Sequence, residues 1–168
     1  IGEMAEVALD DLVGKVIAQY KGRHPVIGID RAPCKVSANA EALEQALVHL
    51  VQNAVEASEP QSPVFVDLRT DTGMASLEII DSGAGMSPEF IRTRLFRPFH
   101  SSKQGGFGIG AYEAREMIRA MGGRLDVESR EGVGTRFQLR IPLAQAESLY
   151  RALHDGPGLS GKTNNKVA

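Results

Sequence analysis

The chain has 168 residues, 42% hydrophobic and 24% charged, enough for one compact domain that buries its own core without disulfides or metal. With 19 basic and 21 acidic residues its net charge is −2, which gives no electrostatic reason to expect a nucleic-acid or anionic-membrane partner. Cys34 is the only cysteine, so no internal disulfide can form, and no apolar run approaches the ~20 residues of a membrane span. A cytoplasmic location without membrane contact by this stretch is the expectation. The chain opens on Ile1 rather than methionine, which predicts a piece of a longer protein, whose other regions are free to carry a membrane anchor.

Leu9, Leu12, Val13, Val16, Ile17 and Tyr20 recur at helical spacing and predict an amphipathic helix ended by Lys21-Gly22. Pro25 to Asp30 reads as a short strand, and Lys35 to Ala38 is a further candidate, with Cys34 read as a small packing residue. The clearest helix follows: Asn39 can cap it, and Leu43, Ala46, Leu47, Leu50, Val51, Ala54 and Val55 form its buried face. Glu59-Pro60 closes it. Val64, Val66 and Leu68 alternate with Phe65, Asp67 and Arg69, then Asp71-Thr72-Gly73 turns the chain into a strand over Leu77 to Ile80. Ser87-Pro88-Glu89 is a helix start with proline at the first helical position. From Arg97 to Gly110 the chain is rich in Gly, Ser and Lys and lacks periodicity, the mark of a binding loop or lid. A helix runs from about Ile109 to Met121 and stops at Gly122-Gly123. Leu125 and Val127, then Phe137, Leu139 and Ile141, alternate as two strands around Glu131-Gly132-Val133-Gly134. Residues 9–143 thus read as one α/β unit. The division drawn is a domain over 1–143 and a C-terminal tail over 144–168, with a short helix near Glu147–Leu153.

Four local features carry chemistry. Asn53 is an amide among apolar helical positions: either a hydrogen-bonded core residue or a carbonyl ligand for Mg²⁺, which prefers hard oxygens and shares them with phosphates. Asp81-Ser82-Gly83-Ala84-Gly85-Met86 follows a strand. Its carboxylate can accept from an amino group such as that of adenine, and its glycines allow close approach to a flat ring, though a plain glycine turn looks alike. Gly105 to Gly110 opens a helix and offers free N–H groups to phosphate. Gly132-Val133-Gly134-Thr135 adds a hydroxyl at a strand start.

In order, Asn53-Ala54, Asp81-Ser82-Gly83-Ala84-Gly85, Leu95-Phe96-Arg97-Pro98-Phe99, Gly106-Phe107-Gly108-Ile109-Gly110 and Gly132-Val133-Gly134-Thr135 resemble the N, G1, F and G2 boxes and closing G-x-G-T strand of the GHKL superfamily. That superfamily includes histidine kinases, DNA gyrase, Hsp90 and MutL. The resemblance implies a two-layer α/β sandwich, a mixed sheet packed on one face by helices, that binds ATP and Mg²⁺. It implies Mg²⁺ on Asn53, the adenine amino group on Asp81, a pocket shaped by Gly83 and Gly85, and assistance from the Thr135 hydroxyl. Arg97 to Phe107 would form a mobile lid, with phosphate near Gly106, Phe107, Gly108, Ile109 and Gly110. Ser101-Ser102-Lys103 is similar to the Thr-Thr-Lys of many kinase lids, which makes Lys103 a charge clamp and, with Asn53, the expected catalytic pair; the alternative for Lys103 is a solvated loop lysine.

One position separates the branches. Gyrase, Hsp90 and MutL carry a glutamate four residues before the magnesium asparagine, where it activates water; here the residue is His49. Without that base, transfer to another protein is the better expectation than hydrolysis. Many histidine kinases have asparagine there, so His49 departs from their commonest pattern as well. The implied function is the ATP-binding catalytic domain of a two-component sensor histidine kinase, passing the γ-phosphate to a histidine on a separate dimerisation domain and thence to a response regulator. A GHKL serine kinase of the anti-sigma type and a non-catalytic nucleotide-binding module are the alternatives. The segments Phe99-His100-Ser101-Ser102-Lys103 and Gly108-Ile109-Gly110-Ala111-Tyr112-Glu113 look similar to PrsK-type kinases linked to PEP-CTERM sorting.

None of His24, His49, His100 and His154 fits an acceptor histidine on a dimerising helix. Gly156 to Thr163 matches the string of a P-loop, but lacks the preceding strand and following helix and is read as coincidence. A dinucleotide site is a poor match, because Pro88 stands where the third glycine would fall.

Overall fold

The computed structural model describes residues 2–98 and 110–155. In chain order the elements are β1 (Ala5–Ala8), α1 (Leu9–Ala18), β2 (Val26–Arg31), β3 (Lys35–Ala38) and α2 (Ala40–Ala57). β4 (Val64–Asp71), β5 (Met74–Asp81) and α3 (Pro88–Phe90) follow, α3 running directly into a π-helical turn, Ile91–Leu95. α4 (Ala111–Ala120), β6 (Arg124–Arg130), β7 (Gly134–Pro142) and α5 (Ala144–His154) complete the order.

Five strands make one mixed sheet in the order β2-β4-β5-β7-β6, in which β2 pairs parallel with β4 and the other pairs are antiparallel. Strand periodicity places Ala75, Leu77 and Ile79 of β5 on the same face as Phe137, Leu139 and Ile141 of β7, all buried. Register then stacks the side chains in rows: Leu77–Leu139–Leu125, and next to it Ile79–Phe137–Val127. α1, α2 and α4 pack on the sheet strands and on one another, and α2 buries Leu43, Ala46, Leu47, Leu50, Val51 and Ala54. Each such leucine contributes roughly 1.5–3 kcal/mol by leaving water. The opposite face is polar, with Arg136 reaching Glu128 at 2.6 Å and Glu78 at 3.4 Å, and Arg69 reaching Asp67 at 3.1 Å. The expected two-layer α/β sandwich is the architecture that forms.

Local expectations hold where a physical signal marks them. Asn39 Oδ1 accepts the Ala42 N–H at 2.8 Å and caps α2. Ser87 Oγ accepts from Phe90 N at 3.1 Å, with proline opening α3. Thr72 and Gly73 both have positive φ, 45° and 77°, in the tight turn between β4 and β5. Other features differ from expectation. β1 pairs antiparallel with β3 as a separate two-stranded sheet; its four residues carry a single large apolar side chain, Val7, too little for a periodic signal. α1 stops at Ala18, and Tyr20 is buried from the turn beyond it. The last helix begins at Ala144, three residues before the expected start at Glu147.

Cys34 is half-buried, and burial first and Asp10 second push its thiol above the ordinary range, so it stays protonated and acts as a packing residue. Among the described residues no helix is long and apolar enough to cross a membrane.

Candidate functional site

The apolar rows of the sheet end in a polar one. Asp81 at the end of β5 pairs with Thr135 on β7, and Thr135 pairs with Ser129 on β6. The three side chains therefore share the core-facing side, one row beyond Ile79, Phe137 and Val127. Asp81 and Thr135 are buried, at 8% and 7% exposure. Burial pushes the Asp81 carboxyl above its usual range, while N–H bonds from Gly83 and Thr135 pull it back. The Gly83 bond to Oδ1 is 2.9 Å. A carboxylate has about four acceptor directions, so two backbone donors fix Asp81 and leave capacity for a ligand donor.

The loop after Asp81 is locked onto its surroundings. Gly132 N–H donates to Ala84 O at 2.7 Å, and Met86 N–H to Ser129 Oγ at 2.8 Å. Gly85 has φ +70°, and a Cβ there would collide with the Arg130 carbonyl. Gly134 has φ +147°, and a Cβ there would collide with the Asp81 carbonyl. The sequence suggested that glycines here let backbone approach a flat ring. In the fold they first let backbone approach backbone, which seats the Asp81 loop against the β6–β7 hairpin.

Asn53 lies on α2, half-buried rather than within the core. Its Nδ2 donates to His49 Nε2 at 3.0 Å, one helical turn earlier. That bond requires the imidazole to carry its proton on Nδ1, and it directs the amide carbonyl away from His49. The same helix is tied to the α1 turn by Tyr20 Oη, which donates to Gln52 Oε1 at 2.7 Å, while Gln52 Nε2 donates to Glu56 at 2.9 Å.

Gly110 is the N-cap of α4, and its N–H donates to Glu113 Oε2 at 2.8 Å. To serve a phosphate, that donor must exchange partners. Phe96, at the end of the π-helical turn, lies under the Arg115 guanidinium at 4.2 Å. This stacking joins the segment before the expected lid to α4. Lys103, Gly106, Phe107, Gly108 and Ile109 lie outside the described residues, as do the rest of the expected lid from Phe99 onward and the P-loop-like string.

Of the residues the sequence singled out, the fold joins Asp81 and Thr135 directly and gathers Gly83 and Gly85 into the same loop. Asn53 and Gly110 stand on α2 and α4, two helices that pack together. Sequence reasoning missed Ser129 and Arg115. Strand alternation after Leu125 and Val127 puts residue 129 on the core face, and a serine at that position was the available signal.

A comparison with known families matches residues 38–145 to the histidine kinase-, DNA gyrase B-, and HSP90-like ATPase family. The C4-dicarboxylate transport sensor protein DctB of Rhizobium meliloti is 33% identical over 131 residues, which are 76% of this chain and 21% of that protein. The chain spans under a third of the length of the curated relatives it matches, 13% to 29% of each. Among solved structures, the catalytic domain of histidine kinase ThkA superposes with a TM-score of 0.72 at 24% identity, covering 85% of this chain and 97% of that one. ThkA in complex with the response regulator protein TrrA gives 0.66 at 22% identity, covering 83% and 41%. These likenesses are of fold, and the family match covers most of the chain. The chain belongs to the histidine kinase-, DNA gyrase B-, and HSP90-like ATPase family, whose nucleotide is ATP.

Proposed function

We propose that the chain is the ATP-binding catalytic domain of a two-component sensor histidine kinase, with residues 1–143 as the catalytic unit and 144–168 as a tail. ATP would lie with its adenine amino group on Asp81, beside Thr135, Gly83 and Gly85. Its phosphates would extend towards Asn53, Lys103 and the Gly106–Gly110 segment, with Phe107 and Ile109 between the glycines. Mg²⁺ fits Asn53 because the bond to His49 occupies the amide nitrogen and turns the oxygen, a hard ligand, elsewhere. Among the described residues no group of three His, Cys, Asp or Glu side chains is placed to hold a metal, so the ion would take its other ligands from phosphate and water. It would supply charge neutralisation at the phosphates. The residues of this chain would bind, orient and shield the nucleotide, and the acceptor histidine of the dimerisation domain would be the nucleophile. A response regulator would then receive the phosphate, as the partner named with ThkA suggests.

The observation that carries transfer over hydrolysis is the residue one turn before Asn53. It is an imidazole bonded to the Asn53 amide, not a carboxylate able to activate water. The test is to supply Mg-ATP to the chain alone and with a histidine-bearing helical hairpin of a sensor kinase. Binding with little phosphate release alone, and phosphohistidine on the hairpin, is the expected result. Rapid turnover to ADP without an acceptor would overturn it.

A further inference from the structure

Ser129 stands at the centre of three hydrogen bonds, and its atoms can satisfy all three in one way only. Met86 N–H can only donate, so it takes one lone pair of Ser129 Oγ, at 2.8 Å. Gly134 O can only accept, so the 3.1 Å contact uses the single hydroxyl hydrogen of Ser129. The third contact is the shortest side-chain one, Ser129 Oγ to Thr135 Oγ1 at 2.7 Å. With the Ser129 hydrogen already directed to Gly134, the hydrogen in that contact must come from Thr135.

We infer that Ser129 is a positioning residue that draws the Thr135 hydroxyl hydrogen away from the ligand and so leaves the Asp81 and Thr135 side chains offering acceptors only, selecting a 6-amino over a 6-oxo purine. This rests on the proposal above that Asp81 and Thr135 face the base. Asp81 offers carboxylate oxygens that already accept from Gly83 and Thr135 N–H groups. Thr135 then adds lone pairs and no donor. A 6-amino group finds acceptors. A 6-oxo group meets oxygens in a buried place, where an unpaired polar atom is costly. Asp81 alone would leave Thr135 free to rotate its hydrogen towards an oxo group and soften the rejection. The row Asp81–Thr135–Ser129 is thus a relay of orientation across three paired strands, with Ser129 touching no ligand itself.

The test titrates the chain calorimetrically with ADP and with IDP, which differ at the purine 6-position and in the proton that the 6-oxo base carries on N1. The parent is compared with Ser129→Ala, Ser129→Thr, Thr135→Val and the Ser129→Ala/Thr135→Val pair, with thermal melts for each. The parent should prefer ADP. Ser129→Ala frees the Thr135 hydrogen and should lower the ADP-to-IDP affinity ratio roughly three- to tenfold, the worth of one hydrogen bond. Ser129→Thr keeps the hydroxyl and should keep the ratio. Ser129→Ala should change nothing further once Thr135 is valine. Equal weakening of ADP and IDP in Ser129→Ala, with the ratio unmoved, means a purely structural serine and overturns the inference. Should Ser129→Ala fail to melt cooperatively, Ser129→Cys, a weak donor of similar shape, takes its place with the same two outcomes. A parent that binds neither nucleotide overturns the proposed function and this inference together. A parent that binds ADP with a ratio indifferent to Ser129 overturns the inference alone.

Discussion

The two ends of the proposed site are held in different ways. At the base end, Asp81, Thr135 and Ser129 sit in one row of three hydrogen-bonded strands, and Gly85 and Gly134 seat the Asp81 loop against the neighbouring hairpin. At the phosphate end, the contacts include the intrahelical pair of Asn53 with His49 and a Gly110 N–H that serves Glu113. The base end is an extension of the core and resists change, because moving any part of it moves the sheet. The phosphate end rests on side chains of helices, which can exchange partners without disturbing the fold. The contrast suits the proposed site, whose base end stays fixed while its phosphate end can exchange partners.

The strongest way to break the base end is to fill the space where backbone meets backbone. Gly134→Ala places a Cβ against the Asp81 carbonyl at φ +147°. It should cost about 3 kcal/mol or more, read as a large fall in melting temperature. Asp81→Asn should spare the fold and weaken ADP binding roughly 10- to 100-fold, the range for losing a charge-assisted hydrogen bond. The same variant tests the electrostatics. Because burial raises the Asp81 pKa, the fold favours its protonated form more than the unfolded chain does. That contribution is full below the ordinary carboxyl pKa and is lost as pH rises through the raised one. The parent should therefore lose stability relative to Asp81→Asn as pH climbs out of the acidic range, and a constant gap in melting temperature would contradict the assignment.

The phosphate end should respond differently. Asn53→Ala should leave Mg²⁺-free ADP binding and the melting temperature nearly unchanged while removing most of the magnesium-dependent gain in ATP affinity. Equal loss with and without Mg²⁺ would make Asn53 a packing residue. The smallest effect belongs to the polar sheet face, on the side of the sheet opposite the base end. Arg136 pairs with Glu128 and Glu78 there at 41% side-chain exposure, and Arg136→Ala should change stability by less than about 1 kcal/mol with no effect on nucleotide.

The legibility of the chain follows the same division. Elements with a period were readable: α2 from its heptad-like run of Leu, Ala and Val after Asn39, and β4, β6 and β7 from alternation; β5 was read only as the strand returning from the Asp71-Thr72-Gly73 turn and begins at Met74, ahead of the expected Leu77. β1 was not, since it is fixed by pairing with β3 rather than by any pattern of its own. Nor was the π-helical turn Ile91–Leu95, which continues α3 without a break. Asp81 and Thr135 were both picked out, but as members of separate local motifs.

By itself the sequence determined which stretches bury apolar surface, where helices are capped and where turns need positive φ, because these depend on residues near in the chain. It also carried the ordered boxes that the family match later met. The tertiary structure alone decided that residues 81, 129 and 135 form one row, since strand register is a long-range choice made by the whole core. It alone showed that the glycines of two distant loops interlock, and that His49 directs the Asn53 amide. Hydrogen-bond direction at Thr135 comes last of all, because a hydroxyl points wherever its three-dimensional neighbours leave it a partner.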